Sequence, residues 1–430
     1  MQVAETADVL VVGGGPGGSA IAIMLARMGH RVRLIEKDSH PRFHIGESLL
    51  PMSMPIFDAL GVRESVEALG VIKRGADFPS GGGDGYHVFS FGRSLNPTWP
   101  YAVQIRRADL DRTLFEAARR AGVATLENTQ AEEVRFLDEA VEVLARNPQG
   151  ERVSYHARYL VDASGRDTLL GRLLHLKQPN RRHRSAALYA HFSGVTRRSG
   201  EDAGNISIYP AADGWVWVIP LSNGITSIGL VCGPSTLRNR GGDNEGFLRR
   251  TLLSNAQLAR RMTDARIVGN LTATGNYSYQ CTAWAGPRWV MVGDAAAFVD
   301  PVFSSGVHLA LQSAMNAATL VHRALEEPAR ERAMQRRYVG KQRAAVGRIS
   351  WFIERFNTPA MWRLFSSPKN RWRLEETVIS VLAGDFYRND GIVWRLRIFK
   401  LIYTLTCLAN GRAAFNGVRQ IWRRRRQVFE

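Results

Sequence analysis

Asp8-Val-Leu-Val-Val-Gly-Gly-Gly-Pro-Gly-Gly18, continuing through Ser19 to Gly29 and Arg31 to Glu36, decides the fold. Its opening apolar run reads as a strand. Gly13, Gly15 and Gly18 then satisfy G-x-G-x-x-G, and Ser19 to Met28 reads as a helix stopped by Gly29. A second strand follows over Arg31 to Glu36, so the segment is a βαβ unit. Small residues at the turn let the backbone approach a pyrophosphate, and the helix N-terminus favours its negative charge. Glu36 closes the second strand about 20 residues past the motif, where a carboxylate can accept hydrogen bonds from a ribose 2'-hydroxyl. The turn by itself does not distinguish one dinucleotide from another.

A distant stretch narrows the choice. Arg288-Trp-Val-Met-Val-Gly-Asp294 is an apolar strand ending in Gly-Asp, and Ser304-Ser305-Gly306 opens the next helical pattern. Asp294 is thereby placed to hold a sugar-like ribityl chain, and the positive end of the helix to favour an anionic reduced flavin ring. Together the two elements resemble the FAD-binding fold of the glutathione-reductase type. On that resemblance Arg107, just upstream of the Leu110-Asp111 helix start, matches a flavin-contacting arginine, and Lys37 is grouped with Glu36 at the cofactor.

Composition sets outer limits. With 430 residues, 45% hydrophobic, ten Trp and eighteen Phe, the chain can bury a large core, which excludes a disordered protein. Cys232, Cys281 and Cys407 lie far apart without metal-ligand spacing, so neither a disulfide framework nor a metal is expected, and a reduced cytoplasm fits best. Met1 to Ala7 has no basic leader character, and Leu401 to Ala409 is far short of the roughly 20 residues that span a bilayer. Alternating patterns over Arg182 to Ser278 predict a second sheet, interleaved with about 75–105, inside an FAD-binding unit over 1–330. Beyond Ser304 the pattern turns helical, with a basic helical subdomain expected over 331–430. The formal charge of +18 is concentrated there, in Arg395, Arg397, Lys400, Arg412, Arg419 and Arg423 to Arg426. No nucleic-acid module accompanies it, so nucleic acid is not expected as a partner. An acidic carrier protein, peripheral contact of the Trp394 to Trp422 region with anionic lipid, and a merely solvated tail all stay open.

Three further stretches resemble the flavin-dependent halogenases. Trp215-Val-Trp-Val-Ile-Pro220 matches the family's W-x-W-x-I-P string. Residues two apart share a strand face, so Trp215, Trp217 and Ile219 form one bulky wall that Pro220 follows. Phe43-His-Ile-Gly-Glu-Ser-Leu-Leu-Pro51 is similar to the family's loop beside the cofactor, with Gly46 and Ser48 against the flavin edge. Lys73 aligns with the family's catalytic lysine; only an amine, unlike the neighbouring Arg74, can lose its proton when desolvated. The likeness runs from Asp8 to about Tyr387 through Val161 to Arg166, Asn276 to Tyr279, Val299 to Gly306 and Gly384 to Tyr387. It is nearest to the pyrrole and phenol branch, particularly halogenases acting on carrier-bound pyrrole.

The resemblance implies an enzyme that uses FADH2 from a separate reductase, dioxygen and chloride or bromide to halogenate an electron-rich aromatic in secondary metabolism. The halide is assigned to the backbone N–H groups of Ser305 and Gly306, and the wall is taken to separate flavin from substrate. Phe303 stands where tryptophan halogenases carry a Glu, which argues against free tryptophan as substrate. Asp77 to Arg93, with its Gly81-Gly-Gly83 run, matches no known pattern. An aromatic hydroxylase or flavin-dependent reductase on the same fold is the alternative, since it shares the cofactor residues but needs neither the Trp pair nor Lys73.

Overall fold

A computed structural model describes residues 6–80, 85–95, 99–238, 240–366, 370–388 and 391–409. The Gly81-Gly-Gly83 run and the arginines from Arg412 onward lie outside the described residues.

Ala7–Val12 and Val32–Ile35 are parallel neighbours, and the helix between them spans Pro16–Arg27. It starts at Pro16 rather than at Ser19. Proline presets the helical φ angle and lacks an N–H that would have no acceptor there, so the end of the glycine run becomes the first turn. In space the first sheet runs Ala285–Gly286, Trp289–Met291, Arg152–Asp162, Ala7–Val12, Val32–Ile35, Ala124–Leu126. From Trp289–Met291 onward these strands are parallel. Val9, Leu10 and Val11 have essentially no exposed surface, as a strand covered on both faces requires.

The second sheet has eight strands, mainly antiparallel, with the long Arg266–Cys281 and Lys177–Ser193 strands toward one end, where only Ala297–Phe298 lies outside them. Thr226–Cys232, Gly214–Pro220 and Ile206–Ala211 continue it, and Gly75–Pro79 and Tyr86–Ser90 form its far edge. Apolar residues at every turn of the Ser305–Glu326 helix, including Val307, Leu311, Ala314, Ala318 and Val321, fix its buried side. It packs on Pro16–Arg27, and the Glu331–Ile353 helix packs on it in turn. Pro359–Ser366, Leu374–Leu382 and Ile392–Ala409 complete a helical C-terminal region. These helices close over the second sheet around Trp215, Trp217, Phe303, Phe352, Phe356 and Phe365. Among the described residues no helix is long and apolar enough to cross a membrane.

Candidate active site

The C-terminal ends of the parallel strands open into a cavity of about 590 Å³, the position at which open α/β sheets take ligands. Its glycines have separate tasks. Gly13 has φ +105°, and a Cβ there would lie 2.3 Å from the Ala163 carbonyl oxygen. A Cβ on Gly18 would lie 1.8 Å from the Gly13 oxygen, so both positions are dictated by chain packing. Gly15 is different: a Cβ would meet only the Arg42 guanidinium, at 3.8 Å, which leaves its face free for a ligand.

Glu36 is buried at the cavity, and its Oε2 accepts from the Gly14 N–H at 2.6 Å and from Arg42 at 3.1 Å. Its Oε1 accepts from the Asp38 N–H at 3.0 Å, so the carboxylate braces the glycine turn as well as facing the cavity. Lys37 lines the cavity half-exposed and pairs with Asp167 at 2.6 Å. Arg107 is the first residue of the Arg107–Arg120 helix rather than upstream of it, because Arg106 takes the extended N-cap position. Its guanidinium holds both oxygens of Asp111 at 3.0 Å and donates to the Ile45 carbonyl at 2.9 Å, which fixes the loop before Gly46. Burial opposes its charge, yet the Asp111 carboxylate keeps its pKa above the usual value. Arg42, linking Glu36 to the fully buried Asp111 at 3.2 Å, is a cavity residue that the motifs did not mark.

Asp294 lines the cavity, and among the described residues its carboxylate takes no hydrogen bond. Its accessible surface faces the cavity, and burial raises its pKa to about 6 against the pull of Arg107 and Arg166. Ser304 turns left-handed at φ 56°, so that Ser305 and Gly306 open the helix with N–H groups that have no acceptor within it. Ser304 and Gly306 line the cavity, but Ser305 does not: it is fully buried and its Oγ has no hydrogen-bond partner among the described residues. The Ser305 side chain is buried in the core, while its N–H and that of Gly306 stand at the start of the helix.

Trp215, Trp217 and Ile219 share one side of the cavity, whereas Pro220 only ends their strand. The two indoles lie 5.8 Å apart, and Trp217 Nε1 donates to Ser227 Oγ at 3.2 Å. Gly229, opposite Trp217 on the next strand, makes room for it: a Cβ would fall 2.1 Å from the indole. Nothing in the sequence pattern singled out Gly229. Phe303 packs edge-on against Phe352 and Phe356.

Lys73 ends the Val71–Lys73 strand and is 1% exposed. Its Nζ donates to Ser48 Oγ at 2.9 Å and to the Leu49 carbonyl at 3.0 Å, and stands 5.3 Å from the centre of the Phe91 ring. No carboxylate pairs with it among the described residues, and burial pushes its pKa down to about 7. Ser48 lines the cavity and Lys73 lies behind it, in contact with the aromatic cluster that contains Phe91 and the Trp pair.

The site fits a flavin dinucleotide. Gly15 leaves the turn open to a phosphate, Asp294 is a half-buried, cavity-lining carboxylate with no hydrogen bond among the described residues and so suited to ribityl hydroxyls, and the cavity volume suits a cofactor. The family model described as an FAD binding domain matches residues 6–349. A flavin-dependent halogenase of Armillaria mellea is 32% identical over 352 residues, covering 74% of this chain and 68% of the relative. A tryptophan 2-halogenase of Chondromyces crocatus is 33% identical over 331 residues, covering 75% of this chain; the chain spans 62% of that relative's length. A 1H-pyrrole-2-carbonyl peptidyl-carrier-protein chlorinase of Pseudomonas fluorescens is 29% identical over 404 residues, covering 88% and 89%. The solved myxobacterial chondrochloren halogenase superposes with a TM-score of 0.78 at 31% identity, covering 94% of this chain and 97% of that one. The chain therefore belongs to the FAD-binding-domain family and, within it, to the flavin-dependent halogenases.

Proposed function

We propose that this protein transfers chlorine or bromine to an electron-rich phenol- or pyrrole-type ring, with Lys73 directing the electrophile. The observation that carries this reading is the buried Lys73 amine, without a carboxylate partner among the described residues, held by cavity-lining Ser48 and facing Phe91 of the cluster that also contains Trp215 and Trp217. Reduced FAD, when bound, supplies the electrons with which dioxygen oxidises a halide to a hypohalous acid. Gly15 and the Pro16–Arg27 helix hold the pyrophosphate, Glu36 and Lys37 the adenosine side, and Asp294 and Arg107 the flavin side. The free N–H groups of Ser305 and Gly306 bind the halide, a task that needs no charged side chain. The indoles keep the acceptor ring from the flavin. With its pKa near 7, the Lys73 amine serves near neutral pH as an ammonium donor to the hypohalous acid or as a free base that takes up the halogen. Ser48 Oγ and the Leu49 carbonyl fix where that amine points.

A separate reductase supplies the reduced cofactor, and a reduced cytoplasm suits the three buried thiols. Likeness to the peptidyl-carrier-protein chlorinase and the basic surface favour an aromatic acyl group tethered to an acidic carrier. Phe303 offers no base for a ring intermediate, which favours rings activated by their own hydroxyl or nitrogen over free tryptophan. The test supplies the purified protein with FAD, a flavin reductase, bromide and a reactive phenol or pyrrole, free and carrier-bound. A bromine isotope doublet in the product's mass spectrum is expected. A hydroxylated product, or cofactor oxidation without halogen transfer on every acceptor, would sink the reading.

A further inference from the structure

The Ile392–Ala409 helix buries Ile392, Leu396, Phe399, Tyr403 and Cys407 against the core. Its opposite side is apolar too: Trp394, Leu401, Leu405 and Leu408 are 46%, 58%, 54% and 52% exposed. Trp372, 62% exposed, extends this ridge, its carbonyl held by Arg395 at 3.0 Å. A helix that carries large apolar side chains on two opposite sides is ordinarily covered on both. The charges beside the ridge are predominantly basic, with Glu376 paired to Arg373 at 3.7 Å. The helix holds Arg395, Arg397 and Lys400 and no acidic residue, and Arg371 and Arg373 flank Trp372. The sequence after Ala409 adds six arginines and a single acidic residue.

We propose that this ridge seats in the headgroup layer of an anionic lipid bilayer, holding the enzyme at a membrane surface. The exposed leucines project outward, and a fluid bilayer accepts a ridge that a rigid partner could take only with a matching groove. Trp and Leu enter the acyl boundary while the arginine and lysine stems reach back to lipid phosphates. Charge complementarity selects the occupant: a second copy would bring the same basic rim against itself, whereas an anionic leaflet attracts it. The inference does not depend on the halogenation reading.

Sedimentation of the FAD-loaded full chain with vesicles tests it. Binding to phosphatidylcholine vesicles containing phosphatidylserine is expected, with little to phosphatidylcholine alone and a loss as salt rises. Leu401→Glu with Leu405→Glu should weaken binding at least about tenfold, and Leu401→Ser with Leu405→Ser should weaken it in the same direction. The visible spectrum of bound FAD should not change in either variant, since both leucines are solvent-facing. Absence of wild-type binding to the anionic vesicles overturns the proposal. So does equal binding by both double variants, which would assign attachment to the arginine-rich end alone. Retention by an acidic carrier protein but not by vesicles overturns it as well.

Discussion

Replacing Lys73 by Met should abolish halogenation and at the same time stabilise the protein. Methionine keeps the chain's length and apolar stem but carries no amine to desolvate. The ordinary lysine value of 10.5 and the value of about 7 inside the protein differ by an amount equivalent to roughly 5 kcal/mol. Below about pH 7 the folded and unfolded chains both hold the proton, so the folded state bears this cost in full. Between about 7 and 10.5 the unfolded chain keeps a proton that the folded chain has lost, so wild-type stability rises with pH across that window. Against this, Met leaves the buried Leu49 carbonyl without its donor, which costs roughly 1–3 kcal/mol. The variant should exceed the wild type by about 2–4 kcal/mol near pH 6, and the difference should shrink and then reverse toward pH 10. Urea unfolding of both FAD-loaded proteins over that range measures it. A stability difference flat with pH would show that the amine is not desolvated, and retained halogenation would remove it from the chemistry.

Two other substitutions probe the cavity's frame. Gly229→Ala drives a methyl group toward the Trp217 indole, 2.1 Å from where the new carbon must sit, so the ring must move. About 1–3 kcal/mol of stability should be lost, and less halogenated product should form per dioxygen consumed; an unchanged yield would free the indole wall of any role in coupling. Arg42→Ala removes the bridge between Glu36 and Asp111, while Arg107 still holds Asp111, so the fold should persist. FAD should bind about tenfold more weakly, or about 1.4 kcal/mol, by fluorescence titration; an unchanged Kd would assign Arg42 to the surface.

Local motifs carried much of the fold because their physics is local. The apolar run before Gly13 must be a covered strand, and the spacing of Trp215, Trp217 and Ile219 must put three side chains on one face. Lys73 entered only through its likeness to a family, since a lysine's burial depends on which distant segments close over it. Ser48, Leu49 and Phe91 do so here, from a loop and a short helical turn that no periodicity connects. Arg42 and Gly229 escaped notice for the same reason: each matters through a partner from another element, and neither sits in a recurring string.

The phenyl rings of Phe78, Phe89, Phe303, Phe356 and Phe365 interlock in the aromatic cluster that also holds Phe91, the ring facing Lys73. An aromatic guest seated in so closely packed a cluster would have to displace one of the protein's own rings. Trimming a single phenylalanine then reshapes which guests are admitted without touching the amine or the cofactor's cradle, so selectivity and chemistry in this scaffold are free to diversify separately.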